Sequence, residues 1–190
     1  MRMKKSYSLV LALLLCMGTL TFSTGCGKIT APQVINIIES QLPADLTLAE
    51  NIAKLSGNPQ LTAVFSQIST IAGTDLPLIQ AAVAAYQSSK TAGNLTALAA
   101  AVNTLANALT PQVLAANRLV STQGEAIAVA VVAGLSLAIN GWAIALANSG
   151  AKVAQLPSQN DMRELAKLAG HEQVEQVAKT YGLTAEQLGL

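Results

Sequence analysis

The chain has 190 residues, of which 52% are hydrophobic and 11% charged; 11 basic and 10 acidic side chains leave a net charge of +1. That length is enough for one domain with a real core. A balance so close to neutral, with no basic patch, excludes a nucleic-acid partner, and a single histidine (His171) excludes most metal and nucleophilic chemistry.

The first 25 residues have three parts. Arg2, Lys4 and Lys5 make a basic start, "SLVLALLLCMGTLTF" (residues 8–22) is an apolar core, and "STG" places small residues directly before Cys26. This order predicts a secretory signal peptide, too short for an ordinary spanning helix. The segment Ser23-Thr24-Gly25-Cys26 resembles the lipobox of bacterial lipoprotein precursors, with Ser23 standing where the motif has Leu. The resemblance covers residues 1–26 only; no family is recognised for the mature domain. It implies cleavage after Gly25 and lipidation of Cys26. A diacylated and N-acylated cysteine carries enough chain for stable anchoring. Gly27 in place of Asp implies sorting to the outer membrane, facing the periplasm. Without Arg2, Lys4 and Lys5 the mature chain has 8 basic and 10 acidic side chains. With Cys26 acylated, no thiol remains for a disulfide, so stability must come from packing.

From residue 32 onward the chain is rich in Ala, Leu and Gln, and reads as helix almost throughout. "PQVINIIESQL" (residues 32–42) opens with Pro at a first-turn position. "ADLTLAENIAKLSG" (residues 44–57) ends on a Gly suited to a C-cap, and "PQLTAVFSQISTIAG" (residues 59–73) repeats that form. Asp75 then stands where an N-cap would open the next helix. Leu95, Leu98, Val102, Leu105 and Leu109 are spaced 3, 4, 3, 4. That is a heptad seam, and it predicts that Leu98, Val102 and Leu105 lie buried along a neighbouring helix.

Residues 61–82 also align without gaps on residues 95–116, at an offset of 34. The identities include Leu61/Leu95, Thr62/Thr96, Ala63/Ala97, Pro77/Pro111 and Ala82/Ala116, and Pro43 precedes Pro77 by the same interval. On this reading each proline divides two helical stretches and the repeated unit is a helical hairpin.

"AIAVAVVAGLSLAINGWAIALA" (residues 126–147) runs 22 residues without a charge, long enough to span a bilayer. Its nine Ile, Val and Leu contribute about −3 to −5 kcal/mol to insertion. Ser136, Asn140, Gly134 and Gly141 offset much of that. Gly134 and Gly141 are seven residues apart and share one face, where another helix can approach closely. The pattern suits first the surrounded central helix of a bundle and, as the alternative, an inserted helix. Trp142 and Asn140 read as a core filler and an inter-helix hydrogen bond. Between Leu76 and Gly124 the only charges are Lys90 and Arg118, whereas an ordinary surface is about a quarter to a third charged. A surface so poor in charge suits a partner, a second copy or lipid.

Residues 158–190 are different, with Asp161, Arg163, Glu164, Lys167, Glu172, Glu175, Lys179 and Glu186 gathered there. Ser158 is placed to cap, and Gly170 to stop, a short helix. Val174, Val177, Ala178 and Tyr181 share one face of the next, and Thr184 and Gln187 form a capping-box pair. "HEQVE" (residues 171–175) has one histidine and one glutamate at i, i+4, but no third ligand, so it reads as a surface helix start. "SSK" (residues 88–90) reads as a turn. No Walker loop, G-x-G-x-x-G or nucleophile elbow occurs.

These observations predict an all-α antiparallel bundle built from helical hairpins. Residues 1–25 are the signal, 26–157 an Ala-rich bundle and 158–190 a charged helical pair packed on it. The expected function is a lipid-anchored envelope scaffold or interaction module, without catalysis, metal or cofactor. Its partners would be the membrane through Cys26 and a second copy or another envelope protein. The alternative is a membrane-active protein that inserts residues 126–147 and self-associates.

Overall fold

Four long helices follow one another: α1 (Ala31–Leu55), α2 (Pro59–Ser88), α3 (Ala92–Asn117) and α4 (Gln123–Asn148). Two short ones, α5 (Gln159–Ala169) and α6 (His171–Tyr181), and a single 3-10 turn at Glu186–Leu188 complete the described residues. The structure, a computed structural model, describes residues 31–188 and 190; the signal segment and Cys26 lie outside the described residues. There is no strand among the described residues. The molecule is an all-α helical bundle.

Side-chain caps start the helices. Asn58, Thr91, Thr122 and Ser158 each accept a hydrogen bond from the backbone N–H three residues on, and so open α2, α3, α4 and α5. Gly57, just past α1, has a φ of 73°, a conformation that costs glycine little. Gly170, with a φ of 89°, ends α5 and turns the chain into α6.

The expectation that prolines divide the helices fails. Pro43, Pro77 and Pro111 lie inside α1, α2 and α3, and the supposed caps Gly73 and Asp75 lie inside α2. An interior proline costs a helix about 3 kcal/mol. Against that stands the buried stripe of α2: Leu61, Phe65, Ile68, Ala72, Leu76, Ile79 and Val83 continue at helical spacing straight through Gly73 and Pro77. Burying a side chain such as Leu76, Ile79 or Val83 gains about 1.5–3 kcal/mol, so packing outweighs propensity. All three prolines sit on exposed faces, where water can serve the backbone carbonyl that the proline leaves free. The repeated unit is therefore not a hairpin split at proline. The offset of 34 is close to the distance from the start of α2 at Pro59 to the start of α3 at Ala92, one helix and its connection.

The long helices alternate in direction. At one end Ser56, just past α1, bonds Glu125 in the first turn of α4, and Asn58 Nδ2 donates to the Leu119 carbonyl at 2.9 Å. At the other end Asn94 Nδ2 donates to the Ser89 carbonyl at 2.8 Å, and the Lys152 N–H to Thr96 Oγ1 at 3.4 Å. Each long helix packs on its chain neighbour, and α4 closes the ring against α1. The segment after α4 then runs back along α3, and α5 and α6 pack on α4. This makes α4 the surrounded helix, buried without interruption from residue 132 to residue 144.

Candidate functional site

The most elaborated polar site is Glu125. Thr122 caps α4, and Glu125 at the third helical position completes a capping box with it. The carboxylate is fully buried. Oε2 accepts from the Ser121 N–H at 2.6 Å, the Ser121 hydroxyl at 2.8 Å and the Thr122 N–H at 3.0 Å. Oε1 accepts from the Ser56 hydroxyl beyond α1. Burial pushes this carboxyl up. The hydrogen bonds from Ser56, from the Ser121 N–H and hydroxyl and from Asn58 outweigh it and bring the group down to about 2. A carboxylate so saturated with donors is neither a general acid nor a base near neutrality. It acts as a clasp that joins the end of α1 to the start of α4. Its signature in the sequence is Thr122-x-x-Glu125, just before the charge-free run.

A second polar site links α3 and α4. Asn140 is fully buried. Its Nδ2 donates to Thr110 Oγ1 at 3.0 Å and to the Ser136 carbonyl at 2.7 Å, while the Thr110 hydroxyl donates to the Ala106 carbonyl at 2.8 Å. Asn140 thus makes an inter-helix bond, and Trp142 is buried beside it in the chain. Asn103 is also buried on α3. Leu98, Val102 and Leu105 are fully buried along α3.

Gly134 and Gly141 both face α6. A Cβ added to Gly134 would lie 1.8 Å from Gln173 Oε1, and one added to Gly141 would lie 2.8 Å from Val177 Cγ1 and 3.1 Å from Tyr181. The lack of side chains lets α6 lie directly on α4. Burial pushes the Tyr181 phenol up.

The remaining candidate side chains lie at the surface. His171 Nε2 and Glu175 Oε1 are 3.0 Å apart on the first turns of α6, with both side chains mostly exposed. No group of three potential metal ligands occurs among the described residues. Ser88 donates to the Ala85 carbonyl at the end of α2. A groove between α3 and residues 155–158 is lined by Asn107, Pro111, Leu114, Arg118, Leu156 and Asp161.

The outward faces of α2 and α3 are the other distinctive surface. The two helices together carry one charged side chain, the half-buried Asp75. Among the described residues, two helices are long and apolar enough to cross a membrane, α2 and α4. Of the most apolar 18-residue stretch, 83% is buried in α4 but only 28% in α2. The exposed remainder of α2 is Ala, Ser, Thr and Gln with Pro59, Gly73 and Pro77, and Leu78 is left 59% exposed.

No protein-family model matches the chain, and neither the curated proteins nor the solved structures contain a significant match to it.

Proposed function

We propose that this protein is a lipid-anchored scaffold or interaction module of the bacterial cell envelope, held at the outer membrane through Cys26 and without catalytic activity of its own. The observation that carries this reading is the burial of α4. The segment best suited to enter a bilayer is already wrapped by α1, α3, α5 and α6, so the attachment falls to the lipobox-like segment. The charge-poor outer faces of α2 and α3 support an interaction role, since burying Ala, Thr and Ser against a partner or a second copy leaves only the half-buried Asp75 to desolvate. The saturated Glu125 supports a structural rather than a chemical use of the buried carboxylate.

Carbonate extraction of membranes carrying a Cys26→Ser variant tests this reading. Release of the variant, with the wild type retained and labelled by palmitate, is the expected result. Retention of the variant would move the protein to the alternative class, in which residues 126–147 leave the bundle and insert.

A further inference from the structure

We infer that the bundle stands on the membrane by one end, the end made by the start of α1 and the connections after α2 and α4, with Lys90 and Lys152 against the phosphates of anionic phospholipids. The inference rests on the lipid anchor at Cys26 proposed above.

Tether length is the first argument. Only residues 27–30 separate Cys26 from Ala31, the first residue of α1. Even fully extended, those five steps reach no more than about 18 Å. The 30 residues of α2 extend about 45 Å, so the tether is much shorter than the bundle. The start of α1 lies opposite the Glu125 clasp, because the end of α1 is bonded to the start of α4 through Ser56. The acyl chains therefore hold the end opposite the clasp.

Charge is the second argument, and it separates standing from lying. The connections at the tethered end are joined by the Asn94 bond to Ser89 and the Lys152 bond to Thr96. From residue 80 to residue 100 the only charge is Lys90, and from residue 143 to residue 157 the only charge is Lys152. Both lysines are exposed, and neither has an ion-pair partner among the described residues. On α5 and α6, by contrast, exposed Arg163, Lys167 and Lys179 are interspersed with exposed Glu164, Glu172 and Glu175, so that face offers an anionic surface no net cation. The outer faces of α2 and α3 offer no charge that would draw the molecule down onto its side. The connections after α2 and α4 thus present two cations and no acid among the described residues, and a lysine near an anionic leaflet gains about fivefold in surface affinity.

The test uses the full chain, made with its leader so that Cys26 is acylated. The protein is reconstituted into vesicles of mixed phosphatidylcholine and phosphatidylglycerol. Ser149→Cys at the tethered end and Leu55→Cys at the far end each receive a thiol-reactive fluorophore. A lipid spin-labelled on its headgroup serves as a short-range quencher. Quenching should be several-fold stronger at residue 149 than at residue 55. Adding Lys90→Glu and Lys152→Glu, or removing phosphatidylglycerol, should reduce that ratio, while circular dichroism and melting temperature stay unchanged. Equal quenching at the two sites, or a ratio indifferent to charge reversal and to phosphatidylglycerol, would overturn the inference while leaving the anchor intact. Failure of the wild type to float with vesicles, together with absence of lipid on Cys26, would sink the anchor and this inference with it.

Discussion

At the scale of single residues, Glu125 concentrates more hydrogen bonding than any other described side chain. Glu125→Gln keeps the shape but turns an amide toward the Ser121 and Thr122 donors, and removes the charge they stabilise. Stability should fall by about 1–3 kcal/mol, as urea denaturation would measure. The pH dependence follows from the direction of the shift. The folded carboxyl is held down to about 2 against an ordinary 4.5. Its contribution is thus fully present above about 4.5 and is lost as the pH falls toward 2. The acid limb of the stability profile should flatten in Glu125→Gln over that window. An unchanged limb would mean that the carboxylate is not the clasp. Thr122-x-x-Glu125 made the cap legible, but the Ser56 contact was not, because 69 residues separate the two in the chain.

At the scale of elements, the three interior prolines set local propensity against the core stripe. In α2, Pro77 is exposed and gives up the bond to the Gly73 carbonyl, while Leu76 and Ile79 beside it stay buried. Pro77→Ala restores a donor and a better helix former at a solvent-facing position. It should raise stability by about 1 kcal/mol or more, less than the full propensity difference of about 3 because proline also stiffens the unfolded chain. Thermal melting of residues 27–190 checks it. A lower melting temperature would show that the packing of α1 and α3 depends on the proline itself. Taken singly, each proline is a helix breaker; the unbroken spacing of apolar residues through positions 72, 76, 79 and 83 is the stronger signal.

At the scale of the whole molecule, α5 and α6 decide what α4 is. Met162, Leu165, Val174 and Val177 are buried against the bundle, and Gln173 and Val177 occupy the space above Gly134 and Gly141. Truncation after Pro157 would uncover that glycine-lined face. The shortened chain should self-associate in size-exclusion chromatography and bind a hydrophobic dye, since an apolar patch so exposed rarely stays unpartnered. A truncated protein that remains monomeric with an unchanged melting temperature would show that α4 is buried adequately by α1 and α3 alone.

The helical class, the seam of Leu98, Val102 and Leu105 and the close-approach face of Gly134 and Gly141 were determined by the sequence alone, because helical periodicity and glycine without a Cβ act within one helix. The sequence likewise contains the charge-poor faces, since composition along α2 and α3 needs no partner to be read. Only the tertiary structure decided that Pro43, Pro77 and Pro111 sit inside continuous helices, because the gain that outweighs their cost comes from other helices. It also decided that α6 rather than another long helix covers the two glycines. The burial of α4 was decided in the same way: a 22-residue charge-free run is equally apolar in lipid and in a core, and the 83% burial of its most apolar stretch comes from the neighbours packed around it.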